Sequence, residues 1–248
     1  MIITAAILLS TFFTRNVCGH GYLIYPIARQ FYCYSQHDYN WPFDGSGINN
    51  DACKAAYVHI YEKYGGNSAV AQAMFYQNTE YAALAGSNYR NRTFIQREIV
   101  PNFLCAAGAN DASKQFGDKS GMDIVSDKWH ATQLMTPPGP TNLYFCPTVL
   151  HEPSYFEAYV SKKNYNPAKT HLRWSDLELI YANVSKIINR KIRGCSSESM
   201  YVLENVVLPP RDSKFIIYVR WQREDSGGEG FYNCADVYYS YKNNKYEL

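Results

Sequence analysis

Two of the six histidines in this 248-residue chain occupy positions where a metal site could form. The first is His20, which follows a short apolar segment in the stretch VCGHGYLIYP and becomes the first residue if the chain is cut after Gly19. An N-terminal histidine offers two metal-binding nitrogens, its imidazole and its α-amine, whose pKa is about 7.7–8.0. A metal can displace the proton of such an amine near neutral pH. His20 would then need a further ligand from elsewhere in the chain.

His151 is the second candidate, because it lies between a predicted strand and the Glu152-Pro153 pair. Loops at strand ends often carry functional side chains. Two nitrogens from His20 and one from His151 would suit copper, which favours nitrogen ligands in a planar arrangement. We interpret the other histidines as structural: His37, His59, His130 and His171.

The cut before His20 is predicted from the apolar run of 12 residues from Ile2 to Phe13. A membrane-spanning helix needs roughly 20 apolar residues, so this run fits a signal peptide better, with Val17 and Gly19 as the small residues at the cleavage site. We therefore predict a signal peptide over residues 1–19, with an uncleaved anchor or a buried strand as alternatives. No other stretch is long and apolar enough to cross a bilayer, so no membrane span is predicted.

Cleavage would leave an even number of cysteines, which in a secreted chain predicts disulfides. Six cysteines allow fifteen connectivities, and no pair has the CxxC spacing of a zinc site. These residues are Cys33, Cys53, Cys105, Cys146, Cys195 and Cys234.

Two further signals concern the compartment. Asn91 and Asn183 begin N-glycosylation sequons, which would be used in a eukaryotic secretory pathway. The last four residues, Lys-Tyr-Glu-Leu, approximate the signal that retains proteins in the endoplasmic reticulum. We expect the protein to enter the secretory pathway and to be either secreted or retained there.

Composition limits the fold and the partners. The length suits one domain, predicted over residues 20–248, and the formal net charge of +2 is too near zero to indicate a nucleic-acid partner. A first strand from Gly21 meets Pro26, and a helix-and-loop insertion follows at about residues 34–128. Within it, alanine-rich stretches at residues 51–64 and 67–85 have helical spacing and are separated by Gly65-Gly66. Short runs rich in tyrosine and β-branched residues then recur after residue 130, which predicts a mainly β protein with a β-sandwich.

Three segments of the sequence carry a family resemblance. They are HGYLIYPIAR, HEPSYFEAYVSKKNYNPAKTHLRWSDLELI and RWQREDSGGEGFYNCADVYYS, and they begin at His20, His151 and Arg220. Together they resemble the bacterial and viral lytic polysaccharide monooxygenases, formerly described as a chitin-binding domain, and most of all the spindle proteins of insect viruses (fusolin, spindlin). The resemblance runs from His20 to about Tyr241. It implies a fibronectin III- or immunoglobulin-like β-sandwich with a long insertion after the first strand.

The resemblance also assigns site residues. It implies that one copper ion is held by His20 and His151, in the arrangement called a histidine brace. Phe231 matches the aromatic residue at the axial position of the copper, and Glu229 matches a residue thought to position the oxygen species. On the residues alone, Phe231 could equally be packing in a strand, and Glu229 could be a solvated charge in a glycine-rich turn.

Two neighbouring positions depart from the family pattern. Asp225 matches a family aspartate only if one extra glycine, Gly227 or Gly228, is allowed before Phe231, so its role stays open. Val149 replaces an alanine that is common near the metal, which would narrow the oxygen pocket.

The cysteines also follow the family. Two pairings match it, the second holding the insertion onto the strand of Phe231, and they leave one further pair; linkage between molecules stays open. The implied disulfides are Cys33–Cys53, Cys105–Cys234 and Cys146–Cys195.

By resemblance, the activity is copper-dependent oxidative cleavage of crystalline chitin, with electrons from an external donor. Tyr57 and Trp41 are the predicted chitin-binding aromatics, because aromatic rings stack on sugar faces. By resemblance, Tyr57 stands just after Cys53, where chitin-active relatives have a surface aromatic; the alternative for Tyr57 is a helix face packed on the sandwich. Two other functions compete with catalysis: chitin binding without turnover, and a structural role in which the protein self-assembles into crystals.

Overall fold

The computed structural model describes residues 19–240, so most of the predicted signal peptide and the C-terminal Lys-Tyr-Glu-Leu lie outside the described residues. Within this range, short strands dominate the second half of the chain. In chain order they are β1 (Gly21–Tyr25), β2 (Ala82–Leu84), β3 (Ala131–Leu134), β4 (Gly139–Pro147), β5 (Ser154–Ser161), β6 (Leu177–Asn183), β7 (Lys186–Asn189), β8 (Ser199–Leu208), β9 (Phe215–Arg223) and β10 (Glu229–Tyr239).

The helices lie between β1 and β3. They are α1 (Arg29–Ser35), α2 (Asp51–Lys63), α3 (Ser68–Tyr76) and α4 (Arg92–Phe94), which continues into a π-helical turn (Ile95–Ile99). Short 3₁₀ turns occur at Gly86–Asn88, Leu104–Ala106, Ser120–Asp123 and Trp174–Asp176. No helix in the described part of the chain is long and apolar enough to cross a membrane.

Helix α2 and helix α3 begin where asparagine side chains cap them. The side-chain oxygens of Asn50 and Asn67 each accept hydrogen bonds from two N–H groups of the following turn, which an N-cap must satisfy. Gly65, with φ of 64°, ends the first of these helices, as predicted. The second predicted helical stretch was too long: α3 ends at Tyr76, and residues 82–84 form β2, because they pair with β10.

The strands form two sheets that pack face to face. One has the order β1-β4-β8-β7, and the other has the order β2-β10-β9-β5-β6, with β3 paired in parallel with the far half of β10. All the other pairings are antiparallel. This is the predicted mainly β sandwich. The insertion begins earlier than predicted, at Arg29, and contributes β2 to the second sheet.

Strand β10 is buried on both faces, which joins two separate cores. Phe231 points into the core between the sheets, where it packs with Trp221. Tyr232 points the other way, into a second core formed with the insertion helices. The sequence alternation required that one of these two side chains face a core, and in fact both do.

Three disulfides hold the insertion and the outer sheet in place, and their pairing confirms the one implied by the resemblance. One joins α1 to α2, the second joins the turn at Leu104–Ala106 to β10, and the third joins β4 to the loop before β8. They are Cys33–Cys53, Cys105–Cys234 and Cys146–Cys195.

Candidate metal centre

His20 lies immediately before β1, and the neighbouring strand β4 fixes its main chain. The Gly21–Pro147 pair aligns the two strands, and Thr148, one residue beyond β4, then clamps His20. The N–H of His20 donates to Thr148 Oγ1 at 2.9 Å, and the N–H of Thr148 donates to the carbonyl of His20 at 2.7 Å. The main-chain nitrogen of residue 20 is therefore held at a defined place at the end of the sandwich.

His151 lies at the same end, in the connection between β4 and β5. Its main chain is fixed by Tyr201, a buried residue of β8: the N–H of His151 donates to Tyr201 Oη at 2.8 Å, and this hydroxyl donates to the carbonyl of His151 at 3.1 Å. The side chains of His20 and His151 are 23% and 19% exposed, so both imidazoles are accessible from solvent.

The two histidine segments are in contact. A Cβ built on Gly19 would lie 3.1 Å from the carbonyl oxygen of Val149 and 3.4 Å from Cβ of His151. The structure thus brings together two residues separated by more than half the chain. Val149 is exposed and adjoins this contact; its effect on an oxygen pocket stays a prediction.

Each imidazole faces a carboxylate. Nδ1 of His20 lies 3.5 Å from Oε1 of Glu80, and Nε2 of His151 lies 3.1 Å from Oδ2 of Asp225. Nδ1 is the ring nitrogen that can close a six-membered chelate with the amine of the same histidine. A carboxylate therefore lies next to one candidate ligand nitrogen of each histidine.

Burial favours the neutral form of His151. Desolvation lowers the pKa of His151, and the charge of Arg223 lowers it further, although Asp225 opposes the shift. Neutral imidazole, the form that binds metals, is thus favoured at neutral pH.

Glu229 and Asp225 have opposite pKa shifts. Burial raises the pKa of Glu229, against the charges of Arg223 and His20. Burial would also raise the pKa of Asp225, but the hydrogen bond from the Gly228 N–H and the charge of Arg223 outweigh it, and the pKa is lowered. Glu229 is buried rather than solvated, which excludes the alternative of a free surface charge.

Phe231 is fully buried and lies beside His20, with ring centroids 5.9 Å apart. It stacks on Trp221 at 5.0 Å, and Trp221 in turn contacts Tyr201, the residue that fixes His151. Phe231 therefore both packs in the sandwich core and closes one side of the candidate site, so the two interpretations from the sequence are compatible.

The candidate ligands are all nitrogens, and this kind of ligand set suits copper. Among residues 19–240, no group of three or more His, Cys, Asp or Glu side chains could hold a metal ion. A metal at His20 and His151 would therefore need a ligand of another kind, and the amine that cleavage would create is placed to serve. Two imidazoles and an amine form a nitrogen set of the type that copper prefers.

The two predicted chitin-binding aromatics differ in their positions. Trp41 is 69% exposed in the loop before α2, as the prediction requires. Tyr57 is 0% exposed, so the prediction that it binds a polysaccharide surface is wrong. Its ring lies in the insertion core beneath the loop, and its hydroxyl donates to the carbonyl of Phe43 at 2.8 Å. The alternative of a packed helix face was the correct one, although the ring packs within the insertion.

Two exposed aromatic residues escaped the sequence analysis. Phe43 is 55% exposed and meets Trp41 edge to face at 5.0 Å, and Tyr76 is equally exposed at the end of α3. Tyr76 donates a hydrogen bond to the side chain of Asn40, which connects α3 to the loop of Trp41. We call Trp41, Phe43 and Tyr76 the aromatic face.

The aromatic face continues to the candidate metal centre through the end of α3. The carbonyl of Thr79 accepts a hydrogen bond from the N–H of Gly21 at 3.0 Å, so the chain just after Tyr76 lies against the residue that follows His20. Glu80, the next residue, is the one that faces His20. Residues 77–80 therefore connect the aromatic face directly to the candidate metal centre.

Other residues at the centre were missed because their contacts are remote in sequence. Glu80, Thr148 and Arg223 lie in ordinary polar contexts, and no spacing rule links them to His20 or His151. The sequons were visible and both asparagines, Asn91 and Asn183, are exposed, as an attached glycan would require; their glycosylation stays a prediction.

Comparison with known proteins agrees with this geometry. The family described as lytic polysaccharide mono-oxygenase, cellulose-degrading, matches residues 20–237. Spindolin of Choristoneura biennis entomopoxvirus is 40% identical over 255 aligned residues, which cover 94% of this chain and 73% of spindolin.

Solved structures extend the likeness to the fold. The fusolin spindles of a Wiseana entomopoxvirus superpose with a TM-score of 0.85 at 40% identity, covering 90% of this chain and 83% of fusolin. A lytic polysaccharide monooxygenase of Cellvibrio japonicus, important for efficient utilization of chitin, superposes with a TM-score of 0.59 at 28% identity, covering 88% and 98%. The resemblance stated from three sequence segments is confirmed, and the chain belongs to the lytic polysaccharide monooxygenase family.

Proposed function

We propose that the protein, once cut before His20, binds one copper ion through the amine and imidazole of His20 and the imidazole of His151, and that it cleaves crystalline chitin by oxidation. The observation that carries this proposal is the closeness of Gly19, the residue whose bond to His20 would be cut, to His151: a Cβ built on Gly19 would lie 3.4 Å from Cβ of His151. A free amine at that point would add a third nitrogen to two imidazoles that are otherwise short of ligands.

Bound copper would supply the one-electron chemistry that activates dioxygen or peroxide and removes a hydrogen atom from C1 or C4 of a sugar. In the overall reaction with dioxygen, one oxygen atom enters the C–H bond and the other leaves as water. Two electrons from an external donor and two protons balance this step. The hydroxylated carbon then expels the neighbouring sugar, which breaks the glycosidic bond.

The chain's own residues would close one side of the centre and leave the other side open to the substrate. Phe231 blocks one side of the centre, while the exposed edges of His20 and His151 allow a solid surface to approach. A hydrolase would need one carboxylic acid and one carboxylate free to act on the bond. Here Asp225 and Glu229 are both paired with Arg223, and the lowered pKa of Asp225 removes it as an acid at neutral pH. The arrangement therefore favours oxidation over hydrolysis.

Chitin is the proposed substrate because of the aromatic face and the named relative from Cellvibrio japonicus. Trp41 and Phe43 present rings to solvent, and Tyr76 links them toward His20. Rings in this exposed position stack on the apolar faces of sugars. A crystalline surface could rest on them while one chain passes over the histidines.

The direct test incubates the mature protein with copper, ascorbate and crystalline chitin, and searches for oxidised oligosaccharides by mass spectrometry. We expect products from the natural protein, and we expect His151→Ala to lose both the products and tight copper binding measured by calorimetry. His59→Ala is the matched control, because His59 is an exposed histidine on α2. It should retain both properties.

Two outcomes would contradict the proposal. N-terminal sequencing that finds a mature start at any residue other than His20 would remove the amine ligand. Oxidised products that fail to form while chitin binding is intact would leave a chitin-binding protein without turnover.

Self-assembly is a second proposal, favoured by the similarity to a fusolin whose structure is that of spindles. We propose that the chain enters the secretory pathway, where its disulfides form, and that it accumulates as crystals when the C-terminal Lys-Tyr-Glu-Leu retains it there. Expression in insect cells with and without these four residues tests both parts. Intracellular crystals from the full chain, and secreted protein after the deletion, are expected; complete secretion of the full chain would contradict retention.

A further inference from the structure

Arg223, the last residue of β9, joins two carboxylates at the candidate metal centre. Its Nη2 lies 2.9 Å from Oδ2 of Asp225, and its Nη1 lies 2.6 Å from Oε2 of Glu229. The arginine side chain is 11% exposed, and its buried Nε has no hydrogen-bond partner. Among the described residues, the guanidinium therefore forms its ion pairs with these two carboxylates.

Each of these carboxylates acts on one histidine. Oδ2 of Asp225, the same atom that Arg223 contacts, lies 3.1 Å from Nε2 of His151. Glu229 interacts electrostatically with His20 and is two residues from Phe231, whose ring lies beside His20. A single cation therefore pairs with one carboxylate that interacts with His151 and one that interacts with His20.

This arrangement solves a problem that metal binding would create. When Nε2 of His151 binds a metal, it can no longer donate a hydrogen bond to Asp225, and a partly buried carboxylate without partners is costly. Asp225 would keep Arg223 and the N–H of Gly228, which donates to its Oδ1 at 2.9 Å. The carboxylate can thus release His151 without losing its own compensation.

We propose that Arg223 is a positioning residue of the candidate copper centre: it fixes the places of Asp225 and Glu229 and keeps both carboxylates paired when the histidines bind the metal, and its charge weakens copper(II) relative to copper(I). This inference rests on the proposed function. It assigns to Arg223 a role that no motif in the sequence indicates, since the arginine touches neither histidine directly.

The size of the effect follows from the distances. The 3.1 Å and 2.9 Å contacts put Arg223 Nη2 within about 6 Å of His151 Nε2. Copper(II) carries one more positive charge than copper(I), and one unit charge near this distance, at an effective dielectric constant of about 20–40, changes an affinity by about ten- to a hundredfold. Arg223→Gln should therefore raise the ratio of copper(II) to copper(I) affinity by about tenfold or more.

The ratio is the useful quantity, because a general loosening of the site or competition from Asp225 changes both affinities alike and cancels. We would measure both affinities by competition with chelators, and the copper(II) geometry by electron paramagnetic resonance. Arg223→Lys keeps the charge but cannot grip both carboxylates, so the ratio should stay within about threefold of the natural protein while the spectrum shifts. Glu229→Gln removes a negative charge and should lower the ratio.

Arg90→Gln is the matched control, because Arg90 pairs with Glu224 at 2.5 Å, next to Asp225 in sequence, but its side chain is exposed. The ratio of copper(II) to copper(I) affinity of Arg90→Gln should stay within twofold of that of the natural protein. An Arg223→Gln ratio within twofold of the natural protein, with Glu229→Gln also unchanged, would overturn the inference even if one variant is poorly folded. Failure of the natural protein to bind copper through His151 would instead overturn the proposed function, so the two failures are distinguishable.

Discussion

Replacing Tyr57 by phenylalanine removes one hydroxyl from beneath the aromatic face. That hydroxyl is the donor to the carbonyl of Phe43, and the Tyr57 ring supports the same loop from below. Gly45 completes the contact: it has φ of 79°, and a Cβ there would lie 2.4 Å from Cδ1 of Tyr57. Tyr57 therefore supports, from the interior, the loop that presents Trp41 and Phe43.

The magnitudes differ between substitutions at this contact. Tyr57→Phe loses one buried hydrogen bond, which should cost about 1 kcal/mol of unfolding free energy. If all of this cost falls on the ordered loop, chitin affinity declines by no more than about fivefold. Tyr57→Ala also leaves a cavity and should cost about 3–5 kcal/mol. Gly45→Ala combines an unfavourable φ with the steric overlap, and it should weaken chitin binding from the other side of the same contact.

The assay pairs urea unfolding with binding isotherms on crystalline chitin, and calorimetry of copper binding serves as the control. Chitin affinity should fall in the order natural protein, Tyr57→Phe, Tyr57→Ala, while copper affinity stays the same. Trp41→Ala calibrates the loss expected from an exposed ring. If Trp41→Ala weakens binding but Tyr57→Ala and Gly45→Ala do not, the reasoning that Tyr57 supports the loop is refuted.

Two further predictions concern stability. Burial raises the pKa of the Asp123 carboxyl from 3.8 to about 6. The stability that this group contributes is therefore full below pH 4 and is lost as the pH rises through 6, by up to about 3 kcal/mol of unfolding free energy. Asp123→Asn should flatten this pH dependence, measured by urea unfolding between pH 4 and pH 7. Replacing Cys105 and Cys234 together by serine should cost about 2–5 kcal/mol, because it frees the insertion from β10, and thermal unfolding of the double variant against the natural protein measures this. An unchanged melting temperature would mean that packing around Tyr232 alone holds the insertion.

The sequence contained enough to predict the sandwich and the two histidines. The alternating pattern after residue 130 and the three family segments are local signals in the sequence. The described part of the chain has eight of its strands after residue 130, as this pattern predicts. The burial of Tyr57 was also readable: Cys53, Tyr57 and Ile60 recur at helical spacing on one face of α2, which is the pattern of a packed face. Helical periodicity reports which face of a helix is buried, whereas a position shared with surface aromatics of relatives does not.

The surroundings of the histidines could not be predicted in the same way. Glu80, Thr148 and Arg223 come from three parts of the chain, and only the pairing of β1 with β4, the turn after α3 and the end of β9 bring them together. Nothing in their local sequence distinguishes them from other polar residues. Tertiary contacts of this kind also explain why residues 82–84 became a strand although their alanine-rich context predicted a helix.

The contact of Gly19 with Val149 and His151 has a practical consequence for recombinant material. A chain that retains even one residue before His20 has an amide in place of the amine, and any residue larger than glycine would press a side chain toward the carbonyl of Val149. On the proposed function, a purification tag, a protease scar or an initiator methionine at this end would yield protein that lacks the amine ligand. Batches should be judged by the mass of their first peptide before any absence of activity is attributed to the protein.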